Sequence, residues 1–268
     1  MLSVAELATR PDVTVSTVVC REHHRCWSDA EVPAEHRLVL VRSGRFRRTS
    51  AHGPTDLDPT LGYVSQPGVE ERFAHPAGGD VCTSVSITPA RWAALMGDAA
   101  RLAGSCVYVD ARVELAHRRL LAAAGDPDYA LVEQLLGLLT ATVGRLVPTP
   151  SPATVTGTRG DRSLVAAARE AILSGHPAAE RLFSLADHLD VSPYRLSRAF
   201  TREIGVSTTR YRNRVRVGRA LERLAHGERS LALLAADLGF ADQAHLTRTV
   251  RAHTGHTPAA LRRALGPS

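Results

Sequence analysis

Apolar residues in the first third of the chain fall in short runs rich in β-branched side chains, whereas those that follow return at three- and four-residue spacing. The first pattern predicts strands at Val13–Val19, Arg37–Val41, Arg45–Thr49, Gly62–Ser65 and Val81–Ile87. Turn material separates them at Ser43-Gly44, His52–Pro54, Gln66–Gly68 and Pro76–Gly79. Many short strands with regular turns predict a small antiparallel barrel or sandwich. The second pattern predicts a short helix at Pro89–Met96, with Thr88 as its cap and Pro89 in its first turn. A strand-like Cys106–Val109 follows, then a helix from Asp110 to about Ala124 and another from Asp126 to Leu146. Both helices can pack on the barrel. The second carries Leu131, Val132, Leu135, Leu136, Leu138, Leu139, Val143 and Leu146, a surface wider than one packing stripe needs. The surplus reads either as a homodimer interface or as burial within the domain.

Residues 148–160 are rich in Pro, Thr and Gly without apolar period and read as a spacer. The expected division is therefore 1–147, a linker at 148–160, and 161–268. After a helix at Asp161–Ser174, one pattern appears twice at an offset of about fifty residues: Leu196, Arg198, Gly205, Ser207 and Arg212 align with Leu246, Arg248, Gly255, Thr257 and Arg262. Each copy predicts a short helix (Leu185–Asp190, Leu231–Leu238) and a longer one (Tyr194–Ile204, Asp242–Thr254). Ser192-Pro193 is a helix start and Gly205 a stop. Two such helices joined by a tight turn make a helix-turn-helix, whose second helix enters the major groove of DNA. A helix from Ser207 to about His226 lies between the copies; Tyr211, Val215, Gly218 and Leu221 form its packing face and its arginines are expected on a free face. The predicted fold class is α+β, a small antiparallel β-barrel with following helices and then an all-α domain with two helix-turn-helix units.

The charge follows the same division. The chain has 33 basic residues, all arginine, against 27 acidic ones, a net +6. Residues 161–268 hold 17 Arg against 10 Asp and Glu, or +7, and residues 1–160 hold 16 against 17, or −1. That excess points to a polyanion partner for the C-terminal part, most economically double-stranded DNA. No apolar run reaches the roughly 18 residues of a membrane span. Met1–Asp12 has early acidic residues and no apolar stretch, unlike a signal peptide, so a cytoplasmic location without a membrane partner is expected.

Ala235-x3-Gly239-Phe240-x4-His245-Leu246-x-Arg248-x6-Gly255-x-Thr257-Pro258-x3-Arg262 resembles the signature of the AraC/XylS family of transcription regulators. Leu196-x-Arg198-x-Phe200-x4-Gly205-x-Ser207-x3-Tyr211 fits the family's first unit. The chain departs from the pattern at Leu246, Val250, Thr208 and Leu261, all core or turn positions. The resemblance implies a regulator of promoter DNA, with RNA polymerase as a further partner in the case of an activator. It also implies base-facing residues: Tyr194, Arg195, Ser197 and Arg198 in the first unit, and Gln243, Ala244, His245, Thr247 and Arg248 in the second. The chemistry agrees, since Arg pairs with guanine, Gln with adenine, and a small residue meets the thymine methyl. Arg210, Arg212, Arg214 and Arg219 are candidates for phosphate contacts or for solubilising charge.

The N-terminal half holds the unassigned chemistry. Gly62-x4-Pro67-Gly68-x6-His75 resembles part of a cupin motif, although the His-x-His pair and glutamate of an earlier cupin strand have no counterpart. If the first strand runs past Val19, alternation puts Cys20, Glu22, His24 and Cys26 on one face, with His75 and Cys82 across the barrel. Such residues are ligands for zinc or another soft metal, or a thiol-based sensor; they are equally buried small hydrophobes and strand-end histidines. The effector is thus a small molecule, a metal or a redox signal. Two enzymatic alternatives, a cupin-type metalloenzyme and an alkyl-accepting DNA-repair regulator, lack respectively a complete ligand set and a Pro-Cys acceptor. No phosphate-binding loop, nucleophile elbow or zinc-protease helix is present, and the chain reads as a non-enzyme.

Overall fold

A computed structural model of the chain describes residues 2–51, 53–97, 106–126, 129–143, 145–147 and 159–265. Ten strands are formed: β1 (Leu2–Arg10), β2 (Val13–Cys20), β3 (His36–Ser43), β4 (Phe46–Ser50), β5 (Gly53–Leu57), β6 (Leu61–Ser65), β7 (Arg72–Ala74), β8 (Asp80–Ile87), β9 (Cys106–Tyr108) and β10 (Leu146–Val147). They make a seven-stranded sheet in the order β1-β2-β8-β3-β6-β9-β10 and a three-stranded sheet in the order β5-β4-β7, with antiparallel pairing. Both sheets contribute to one apolar core, with Val39, Val41, Tyr63 and Cys82 from the larger and Phe46 and Leu57 from the smaller. Among the described residues the strands do not close into one hydrogen-bonded ring, so the expected barrel is realised as two sheets around a shared interior.

The helices are α1 (Pro89–Met96), α2 (Ala111–Ala122), α3 (Ala130–Val143), α4 (Arg159–Ser174), α5 (Leu182–His188), α6 (Pro193–Ile204), α7 (Thr208–Ala225), α8 (Leu231–Asp237), α9 (Gln243–Thr254) and α10 (Pro258–Leu265). On α3, Leu131, Leu135, Leu138 and Leu139 are buried while Tyr129, just before it, and Val132 and Leu136 stand exposed. The surplus apolar surface is therefore divided between the domain interior and a solvent-facing stripe. Leu146 lies in β10 rather than ending the helix, and residues 148–158 of the expected linker lie outside the described residues.

The chain forms two compact units. One unit is Met1–Val109 with Ala123–Thr154; the other is Asp110–Ala122 with Val155–Ser268. Helix α2 thus belongs to the C-terminal unit, not to the sheets. Its Ala111 and Leu115 are buried in one cluster with Val217, Leu221, Leu246 and Val250. Asp110 opens the helix, its carboxylate accepting from the N–H groups of Arg112 and Val113 at 2.9 and 3.0 Å. An amphipathic helix specifies that it needs an apolar surface but not which one.

Candidate functional site

The C-terminal unit presents two heads of the same construction. Helices α5 and α6 enclose 189–192, and α8 and α9 enclose 238–242, so the second turn is one residue longer. The first turn passes through Asp190 at φ 52° and the second through Gly239 at φ 71°. Each second helix is then capped. Ser192 Oγ accepts from Arg195 N–H at 3.2 Å with Pro193 in the first turn, and Asp242 Oδ1 accepts from His245 N–H at 2.6 Å. Gly205 and Gly255 close them at φ 80° and 82°, the left-handed conformation that glycine adopts without strain. Inside the heads Leu185, Leu196 and Phe200 are buried, as are Leu234, Leu246 and Val250.

The nine predicted base-facing residues all sit in the N-terminal half of α6 or α9. Tyr194, Arg195, Arg198, Gln243, Ala244 and Arg248 are exposed; Ser197, His245 and Thr247 are half-buried. Arg198 donates to Tyr194 Oη at 2.7 Å and its guanidinium stands 5.4 Å from that ring's centroid, so the two form one preorganised tip. His245 Nδ1 accepts from Ala241 N–H at 3.3 Å, which leaves Nε2 as the donor of the neutral ring. Phe240 meets the same imidazole edge-on at 5.3 Å.

The arginines of α7 are mostly not on a free face. Arg210 is exposed, but Arg212 donates to the carbonyl of Glu180 and Arg219 to that of Leu173 at 2.7 Å. Arg214 is buried, 2.7 Å from Glu114 of α2, and cannot meet a phosphate. Burial pushes the Glu114 carboxyl up, but Arg214 and Arg118 together outweigh it and hold the group below the usual carboxylate range. Gly218 makes room for this pair, because a Cβ there would come within 2.6 Å of Arg214 Nη1 and 3.0 Å of Glu114 Oε2. The partner of Arg214 lies far upstream in sequence, so a local reading of the basic run could not expose it.

In the N-terminal unit, β2 ends at Cys20, so the alternation expected through Cys26 stops there. Glu22 and Cys26 are exposed. Cys20, His75 and Cys82 are buried, and His24 reaches His75 with its Nε2 3.0 Å from Nδ1. Asp80, overlooked in the sequence, completes the group: Cys20, His75 and Asp80 bring one ligand atom each within 4.8 Å of one another. Its signal was available, since Asp80 precedes Cys82 by two positions and shares its strand face. Cys82 Sγ donates to Asp80 Oδ2 at 3.1 Å, and burial, reinforced by Asp80, pushes the Cys82 thiol up.

Residues 185–264 match a protein-family profile described as a helix-turn-helix domain. The arabinose operon regulatory protein of Salmonella typhimurium is 32% identical over 79 residues, 30% of this chain and 28% of that one. The C-terminal unit carries a helix-turn-helix domain, and part of the chain is similar to this regulator. The regulatory protein PocR of the same organism is 34% identical to this chain over 82 residues, 31% of it and 27% of PocR. The matched segments therefore span less than a third of the length of these curated relatives. The C-terminal domain of AraT, a response regulator from Geobacillus stearothermophilus, is a solved structure 29% identical to this chain, covering 39% of it and 88% of that chain at a TM-score of 0.37. No described helix is long and apolar enough to cross a membrane.

Proposed function

We propose that the chain is a cytoplasmic, sequence-specific transcriptional regulator that reads double-stranded promoter DNA with α6 and α9 and takes an effector in its N-terminal unit. It works by binding, not catalysis. The observation that carries this reading is the pair of capped helices, each offering polar N-terminal side chains above a buried apolar base. Helix α7 sets the distance between the heads, so that each can enter a major groove. Arg198 and Arg248 recur at one position of the repeat and are assigned to guanine O6 and N7; Gln243 is assigned to adenine, and Ala244 to a thymine methyl. Tyr194, Arg195, Ser197, His245 and Thr247 complete the two tips. Arg210 is assigned to phosphate. A second copy of the chain, covering the stripe of Val132 and Leu136, would bring four heads to one operator. RNA polymerase is the further partner if the bound protein activates.

The test is a footprint of purified protein on promoter fragments, followed by affinity measurements on the protected site and on random DNA at several salt concentrations. Arg248→Ala should weaken the protected site by roughly 10- to 100-fold, equivalent to about 1–3 kcal/mol, and leave random DNA nearly unchanged. Equal loss on both would reassign Arg248 to phosphate.

A further inference from the structure

We infer that Cys20, His75 and Asp80 form a binding site for a zinc-type divalent cation, with Cys82 beside them as the fourth ligand. As the identity of the effector this rests on the regulator reading above; as coordination chemistry it stands on geometry alone. Strands β2 and β8 pair with Cys20 opposite Asp80 and Val18 opposite Cys82, which fixes the two cysteines and the carboxylate on a rigid ladder. Two glycines permit the close approach at its end: a Cβ on Gly79 would lie 2.3 Å from the Cys20 carbonyl, and one on Gly44 would lie 2.8 Å from Asp80 Cα. His75 comes from the other sheet, just beyond β7, its ring stacked on Phe46 at 5.6 Å.

Asp80 stands at the centre of the group, its Oδ2 accepting from Cys82 Sγ at 3.1 Å. His75 Nε2 lies 2.9 Å from Asp80 Oδ1, yet Oδ1 has no hydrogen-bond partner. The approach is close without the alignment that a hydrogen bond requires. The other ring nitrogen, Nδ1, is taken up by His24 Nε2 at 3.0 Å, in the place where a carboxylate or carbonyl orients many metal-bound imidazoles. Cys20, Asp80 and Cys82 are 5, 5 and 3% exposed, and a carboxylate so buried calls for positive charge close by. Ligand atoms of a tetrahedral Zn²⁺ site stand about 3.3–3.8 Å apart, given bonds of about 2.0–2.3 Å. The ligand atoms of Cys20, His75 and Asp80, within 4.8 Å of one another, therefore need to draw in by about an ångström, and Cys82 closes on them from its contact with Asp80. A sulfur, nitrogen and oxygen set favours Zn²⁺ over the oxygen-seeking Mg²⁺ and Ca²⁺. Coordination releases the thiol protons of Cys20 and Cys82 to solvent and takes His75 neutral, so affinity falls as pH falls.

The experiment is titration of purified, reduced full-length protein with Co²⁺, read by absorbance, and competition by Zn²⁺. One Co²⁺ per chain, with thiolate-to-cobalt charge transfer and displacement by one Zn²⁺, is expected. Cys20→Ser should abolish the charge-transfer band or reduce it by about half, and His24→Gln should weaken Zn²⁺ by about 10-fold through the lost support of His75. Cys26→Ser should change neither. Absence of a thiolate band in the wild-type protein overturns the site without reference to any variant's folding. So does a band that survives Cys20→Ser and vanishes in Cys26→Ser. Operator binding is scored separately on the same samples: no metal with normal footprinting refutes the site alone, and metal without footprinting refutes the regulator reading alone.

Discussion

In the first head α6 is backed by α4, whose half-buried Asp161 stands 3.5 Å from Arg195 and 3.2 Å from Arg202, two arginines that reach solvent. In the second head α9 is backed by α2, which brings buried apolar groups and the half-buried carboxylate of Glu114, paired with the buried guanidinium of Arg214. One repeat of the sequence pattern is thus closed by a neighbour in the chain and the other by a helix from far upstream, directly after β9. The repeat encodes the capped, polar-tipped helix twice but its support only once. Pairs whose arginine is solvent-exposed, as with Asp161, contribute about 0–1 kcal/mol. A pair whose arginine is buried, as with Arg214, is costly to break from the carboxylate side.

The largest effect that separates the heads should come from Glu114→Ala, which removes the carboxylate facing the buried Arg214 and should destabilise the C-terminal unit by up to about 3–5 kcal/mol in urea unfolding. Adding Arg214→Met should restore most of that loss, whereas Asp161→Ala should cost less than about 1 kcal/mol. Equal losses from Glu114→Ala and Asp161→Ala would erase the distinction. At the reading surface, Arg198→Ala should cost roughly 1–3 kcal/mol on the footprinted site. Tyr194→Phe should cost about 0.5–1.5 kcal/mol, because it removes the hydrogen bond to Arg198 and leaves the ring. The two turns offer a finer contrast: Gly239→Ala forces a side chain into a left-handed position and against Arg216, 2.8 Å from the added Cβ. It should destabilise by about 1 kcal/mol or more, while Asp190→Gly should be neutral or stabilise by a few tenths.

Acid should favour the first head over the second. Burial, then Arg210 and Arg214, hold His253 below the ordinary histidine value. A depressed folded-state value means that its contribution is complete above the unfolded value and is lost as pH falls through the folded one. Glu114, also depressed, follows the same sign in the carboxylate range. Hydrogen exchange from pH 7 downward should show amides of α9 losing protection before those of α6; simultaneous loss would contradict the assignment.

The helices of the reader were legible because their ends are local chemistry. Ser192-Pro193, Ser207, Asp242, Gly205 and Gly255 each act at the helix end where the sequence puts them. Strands β1, β5 and β7 were not: Leu2 and Val4 are exposed in a strand that pairs along β2, so no buried alternation marks it. Arg214 and Asp80 were misjudged or missed for a shared reason. Each takes its meaning from a partner on another element, Glu114 in one case and Cys20 with His75 in the other, and one-dimensional spacing carries no such information. Cys20, His75 and Cys82 could be nominated, but their meeting with Asp80 depends on register.

Helix α2 also bears on how the chain is made. It leaves the ribosome about a hundred residues before α7 and α9, a delay of several seconds or more at roughly 5–20 residues per second. During that interval Ala111 and Leu115 have no final partners, and the second head cannot close until synthesis is nearly complete. A fragment beginning at Asp161 would carry both heads and the whole repeat, yet expose the apolar seat of the missing helix on Val217, Leu221 and Leu246. Such a fragment should gain stability when α2 is supplied, in cis through a redesigned connection or in trans as a peptide.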